Sequence, residues 1–437
     1  MVSRKTIVLF VAFLALLAYV LIFENYFEKK QTAKKEAEEK FYKIDKDNLF
    51  QISFLHNGII IKKENQNWKI ISPIQTDADE EEINGFISTF DYLKKKRSLF
   101  IRKEEYEKFG LSPYRLAVAF KYSNGVIDTL FFGDKNLDSS LIYCRTKGRK
   151  DVSLVSSSLE NNITNTLYNW RDKSILKINT TKVFKFKIRT QSDEFLCIKD
   201  KTGSWEIRSP ITDRCDQNTI QQIFDFLGRE QVKEFVDHET KKIEKFGLSH
   251  PLLSIELIDS TSQFPKVLNI GRAEKGSYFA KNSLSETIFK VDSSFVNKIT
   301  VDLFELRDKT IVEFNQDSVF EIKIKYPEYY FHCKKDEEKF WKISSPDTGT
   351  AKSWKINALL YDIRYLNASG FIDKPTASES LYGFNQPQID LVLKSKNAIL
   401  VNLTIGKETG KHSYIKNKIK NRIYKIKNKD KEKLIVK

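Results

Sequence analysis

A chain of 437 residues that is 41% hydrophobic and 30% charged is too long for one ordinary core and too apolar to remain disordered, which implies two to four folded domains. With only 16 Gly and 9 Pro it is not a flexible or collagen-like polymer. The net charge of +16 is uneven, and over half of it falls after Gly410, where eleven Lys or Arg face Asp430 and Glu432.

The first predicted element is a membrane helix. Residues 6–23 (TIVLFVAFLALLAYVLIF) form an uncharged run of 18 residues, which as a helix spans ~27 Å against a hydrocarbon core of ~30 Å. Its exit, Ile22-Phe23-Glu24, is bulky and lacks the small-x-small pattern of a cleaved signal peptide, so an uncleaved anchor is expected. Arg4 and Lys5 favour a cytoplasmic N-terminus with the body exported, although Lys29, Lys30, Lys34, Lys35 and Lys40 lie within range downstream. Opposite charges at i,i+4 predict a helical stalk over residues 28–40.

Three copies of one unit follow. The segment Trp68-Lys-Ile-Ile-Ser-Pro73 returns at Trp205 and again at Trp341, at intervals of 137 and 136 residues. Phe109-Gly110-Leu111 matches Phe246-Gly247-Leu248 and Tyr382-Gly383-Phe384 at the same intervals, and Gly133, Gly271 and Gly406 recur at 138 and 135 residues. Each Trp and the Ile two residues on share a strand face, so the three indoles are expected in the core, and the proline ends the strand. Asp79 and Glu82 have capping-box spacing ahead of a helical period through Ile83, Phe86, Ile87 and Phe90. Asp216 occupies the same place in the second copy, but Lys352 stands there in the third. The Phe-Gly-Leu triplet reads as a helix end with a left-handed glycine. Strands alternating at Leu116, Val118 and Phe120 come next, then a strand expected to end at Gly133, read as a turn glycine and not a phosphate loop. Terminal helices are expected over residues 157–171 and 292–307, closing on Arg171-Asp172-Lys173 and Arg307-Asp308-Lys309, which read as salt-bridged linkers. The third copy is expected to stop without such a helix.

The predicted fold class is therefore α+β: an N-terminal transmembrane helix and three tandem repeats with mainly antiparallel sheets. The expected limits are 1–42 for anchor and stalk, then 43–175, 176–311 and 312–437. The basic C-terminal segment reads as the solvated face of a β-hairpin, with contact to anionic lipid as its functional alternative and no nucleic acid expected.

No catalytic, cofactor-binding or metal-ligating set stands out, and no cofactor is expected. The cysteines (Cys144, Cys197, Cys215, Cys333) lack CxxC spacing, and Cys197 and Cys333 are equivalent residues of two copies, read as buried hydrophobes. The histidines (His56, His238, His250, His332, His412) are scattered. The residues that recur are aromatic, aliphatic, Gly and Pro, which carry folds and not reactions, so a non-enzyme is expected.

In combination these landmarks resemble the bacterial family catalogued as domain of unknown function 4340. The resemblance implies an inner-membrane protein with one N-terminal helix through residues 6–23 and a repeated body on the periplasmic or extracytoplasmic side. It also implies protein partners in an ABC-type, gliding-motility-like transport complex, and hence a scaffold or accessory role. The alternative is a module that holds envelope glycan or another polymer. Solvent-facing Trp or Tyr in a line across the copies would favour that alternative, and an apolar patch over buried rings would favour protein docking.

Overall fold

The computed structural model describes residues 38–237, 242–262 and 264–436, with Phe10, Phe13, Leu16, Leu17, Tyr19, Val20, Ile22 and Phe23 of the N-terminal segment. The expected anchor and stalk lie largely outside these residues. Among the described residues no helix is long and apolar enough to cross a membrane. The chain divides into two compact units, Met1–Ser174 and Ile175–Lys437.

Three tandem antiparallel sheets of nine strands each form the framework of the described residues. In the first copy the strands are β1 (Leu49–Phe54), β2 (Ile59–Glu64), β3 (Asn67–Ser72), β4 (Thr76–Asp77), β5 (Arg97–Phe100), β6 (Leu116–Tyr122), β7 (Ile127–Lys135), β8 (Leu141–Thr146) and β9 (Asp151–Ser156). Their spatial order is β4-β3-β2-β1-β6-β7-β8-β9-β5, and the sheets within 183–292 and 321–427 repeat it. Two hairpin meanders thus meet at the β1–β6 pair. The chain between them leaves one edge at β4, passes through a helix, and places β5 on the opposite edge.

That helix is α1 (Glu80–Tyr92), with α2 (Gln217–Arg229) and α3 (Ser353–Arg364) as its counterparts. Each turns one apolar stripe onto its sheet: Ile83, Phe86, Ile87 and Phe90 in α1 are buried beside Phe54 and Phe120. Phe90 and Phe120 meet edge to face at 5.3 Å, and Phe54 stacks on Trp170 at 5.0 Å. With one helix of this length per copy, the expected α+β class holds only coarsely, because strand dominates. Phe41 and Tyr42, assigned to the stalk, are buried in the first core.

Three expectations need correction. Gly133 lies inside β7, not at its end, and Gly271 and Gly406 lie inside the equivalent strands Lys266–Glu274 and Ile399–Thr409. All three sit where the pairing register shifts, and a Cβ at Gly133 would fall 1.9 Å from the Phe109 carbonyl oxygen. The glycine of the strand and the Phe-Gly-Leu triplet are therefore two halves of one contact, with Gly110 at a left-handed φ of 62° after a 3-10 helix, Lys103–Phe109. The expected terminal helices are each broken in two: Leu159–Ile163 then Leu167–Trp170, and Ser293–Ile299 then Leu303–Leu306. Thr166 with Asn169, and Asp302 with Glu305, form capping boxes that restart the helix. The third copy does carry a terminal helix, Asn428–Glu432.

Candidate functional site

The three landmark indoles occupy equivalent core places, with 3%, 6% and 3% of Trp68, Trp205 and Trp341 exposed. Each lies opposite a lysine of the neighbouring strand (Lys63, Lys199, Lys335), whose ammonium covers the ring at 5.1, 5.1 and 5.0 Å. Lys and Trp thus close the sheet edge together, leaving no ring face for a ligand. The Trp68 amide donates to Glu80 Oε1 and the Trp205 amide to Gln217 Oε1. The Asp79 amide, which a capping box would pair with Glu82, donates to the Trp170 carbonyl instead, while the Asp79 carboxylate accepts from the amides of Glu81 and Glu82.

Both Arg-Asp-Lys motifs fold back on the start of their own copy's helix. The Asp172 amide donates to the Asp77 carbonyl and the Asp308 amide to the Arg214 carbonyl. Lys173 Nζ lies 2.8 Å from Asp79 Oδ2, and Lys309 Nζ 3.7 Å from Asp216 Oδ2. Arg307 extends further, into a buried network linking the second and third copies. Its Nε donates to Asp213 at 2.8 Å, and its two terminal nitrogens grip Asp373 at 2.8 and 2.6 Å. Arg422 grips Asp213 in the same two-pronged way, at 2.7 and 2.6 Å. Phe371 stacks on the Arg307 guanidinium at 3.6 Å. Burial opposes ionisation of Asp213, but the hydrogen bonds from Arg422 and Arg307 outweigh it and hold the carboxyl below its usual range. Both oxygens of Asp213 are occupied by guanidinium donors, so the network clasps two copies and offers no free acid or base.

One constellation was not foreseen. His332 lies between Glu321 and Ser344, with Nε2 2.8 Å from Glu321 Oε1 and Nδ1 2.7 Å from Ser344 Oγ. Ser344 is the extra residue where Cys333 pairs with Ile343 and His332 with Ser345. The same bulge holds Ile71 and Arg208 in the other copies, so it belongs to the fold and not to this triad. The order acid–histidine–hydroxyl could support proton transfer. Two features count against it: Glu321 also receives Lys323 at 3.1 Å and Lys394 at 3.7 Å, and the triad stands on the sheet face opposite the buried Ile322 and Cys333. No concave site encloses a substrate there among the clefts described below. Periodicity could have placed Glu321 and His332 on outward faces, but only strand register brings them together.

The four cysteines are free and buried. Hydrogen bonding to the neighbouring Cys197 sulfur, with burial, pushes the Cys215 thiol up, and burial raises Cys333 to about 11, so neither is a ready thiolate. Burial lowers His56, whose Nδ1 faces the Ala117 carbonyl oxygen, and His238 lies outside the described residues. Among the described residues no group of three His, Cys, Asp or Glu side chains could hold a metal ion. Two of the clefts in the second compact unit are rich in lysine. One, of about 920 Å³, is lined by Phe320, Lys334, Lys335 and Lys396, but also by Asp317, Asp336 and Glu337. The other, of about 460 Å³, opens where Phe304 of the second copy faces Tyr365, His412 and Lys427 of the third. The basic C-terminal segment is a strand pair, His412–Asn417 and Arg422–Lys427, with Ile415, Tyr424 and Ile426 buried, as the hairpin reading expected.

The family model described as Domain of unknown function (DUF4340) matches residues 68–213, 205–387 and 341–436, each match opening on a landmark tryptophan. No curated protein and no solved structure matches the chain.

Proposed function

The chain belongs to the DUF4340 family of domains of unknown function, and from that premise we propose that it is a membrane-anchored, non-catalytic accessory of an ABC-type envelope complex. In this reading residues 6–23 hold it in the inner membrane and the three copies stand on the extracytoplasmic side. The carrying observation is that the residues repeated between copies are consumed by the fold: the indoles are buried, the glycines meet backbone, and the Arg-Asp-Lys motifs close on their own helices. Repetition without a repeated chemical group suits a scaffold. A bilayer anchor would also raise the effective concentration of any membrane-bound partner.

Crosslinking the full-length chain in intact cells tests this reading. Membrane subunits of an ABC-type system should be recovered, and the intact mass should retain residues 1–23. Deleting residues 1–40 should release the body and weaken the association. Recovery of no transporter subunit overturns the accessory role. Ester hydrolysis abolished by Ser344→Ala would instead make the Glu321–His332–Ser344 array catalytic.

A second reading, the binding of an envelope polymer, is favoured by a separate observation: Trp354, Tyr361 and Tyr365 are exposed at 66%, 57% and 55%.

A further inference from the structure

Trp354, Tyr361 and Tyr365 lie on or just beyond α3 at spacings of seven and four residues. At 100° per residue they fall within about 20° of one line along the helix and extend over ~16 Å. The buried stripe of α3, Ile356, Leu359, Leu360 and Ile363, faces the opposite way, so the rings do not serve the core. The fold does not require them either. The second copy has Asn218, Asp225 and Arg229 at the equivalent places, and the first has Glu81, Ser88 and Tyr92. Tyr361 and Tyr365 form a tilted pair with centroids 4.4 Å apart. Lys355 lies 5.9 Å from the Trp354 ring and Arg364 5.7 Å from the Tyr365 ring, so cations flank the row.

The row runs into the 460 Å³ cleft, where Tyr365 forms part of the wall together with Phe304, His412, Lys427 and Lys429. Lys427 and Lys429 are exposed and make no ion pair among the described residues. The one acid of the lining, Asp430, is already paired with Lys433 at 3.0 Å. Exposed flat rings followed by unpaired ammonium groups match a ligand that repeats an apolar ring face and a negative charge. A pyranose ring offers its C–H face to an aromatic plane, and a uronate carboxylate offers the charge that lysine takes up.

We propose that this surface binds an acidic polysaccharide, with sugar rings laid along Trp354, Tyr361 and Tyr365 and carboxylates held by Lys427 and Lys429 at the cleft. The inference rests on the polymer-binding reading and is independent of the accessory one, which crosslinking to transporter subunits decides separately.

The probe is polygalacturonate, compared with its methyl ester, titrated onto the detergent-purified full chain by calorimetry. Polygalacturonate should bind more tightly than the ester. Trp354→Ala/Tyr361→Ala/Tyr365→Ala keeps the net charge and should weaken binding by about tenfold or more, as expected for losing three stacked rings. Lys427→Gln/Lys429→Gln should weaken it more than the equally charge-reducing Lys147→Gln/Lys150→Gln in the first copy. Circular dichroism of each variant should match the parent. The proposal is overturned if polygalacturonate does not bind, if the aromatic variant binds like the parent, or if the two lysine pairs lose affinity equally, the mark of a non-specific polyelectrolyte.

Discussion

Lys173 Nζ lies 2.8 Å from Asp79 Oδ2, across 94 residues of chain, so one carboxylate both caps α1 and receives the lysine that closes the first copy. Asp216 and Lys309 repeat the arrangement more loosely. In the third copy Lys352 stands at the cap. Lys352 nevertheless keeps the extended cap geometry, φ −69° and ψ 113°, close to the −78° and 105° of Asp79. Lys352→Asp should therefore stabilise the protein by ~1 kcal/mol, and Asp79→Ala should cost ~1–2 kcal/mol. Urea midpoints measure both.

The strand glycines should resist any side chain. A Cβ at Gly271 would sit 2.1 Å from the Phe246 carbonyl oxygen, which is backbone and has nowhere to go. Gly271→Ala should cost at least ~1–3 kcal/mol as an overpacked site. Gly85, inside α1 with nothing within 4 Å of its missing Cβ, should behave oppositely, Gly85→Ala gaining ~0.5–1 kcal/mol. Thermal midpoints moving the same way in both variants would contradict the close-approach reading.

Arg307→Ala should destabilise the body that holds the second and third copies. Breaking a buried pair costs ~3–5 kcal/mol, and the lower end applies because Arg422 still faces Asp213. Arg422, more exposed than Arg307, should cost less when truncated. Denaturant unfolding followed by hydrogen exchange on 175–437 would register the difference.

Asp259 gives the second copy an acid-sensitive point. Hydrogen bonds from Thr261 and Lys266 hold its carboxyl at about 2. A carboxyl lowered on folding stabilises the native state above its unfolded value near ~4, and that contribution fades as pH falls towards 2. Asp259→Asn should therefore be less stable than the parent at pH 7, with the gap closing between about pH 4 and pH 2. A gap constant with pH would show that the aspartate acts only through its shape.

Trp205→Ala should cost ~3–5 kcal/mol, the range for emptying an aromatic core site. Trp354→Ala, on an exposed helix face, should stay within ~0.5 kcal/mol. Tryptophan fluorescence during unfolding separates the two, since only the first removes a buried indole.

The repeat, the three buried indoles, the amphipathic helices and the left-handed glycine of each triplet were legible because each depends on local period or turn chemistry. Alternation at Trp205 and Ile207 sorts faces without reference to the rest of the chain, and Asp79 signals a helix start within three residues of itself. The tertiary structure alone decided what lies opposite what. Gly133 looks like a turn until the Phe109 carbonyl is seen against it. Arg307 and Arg422 share Asp213 only because two copies pack together, and Ser344 reaches His332 only through strand register and a bulge. Such meetings join residues that are distant in sequence, and strand register and packing, which no local pattern encodes, determine which of them meet.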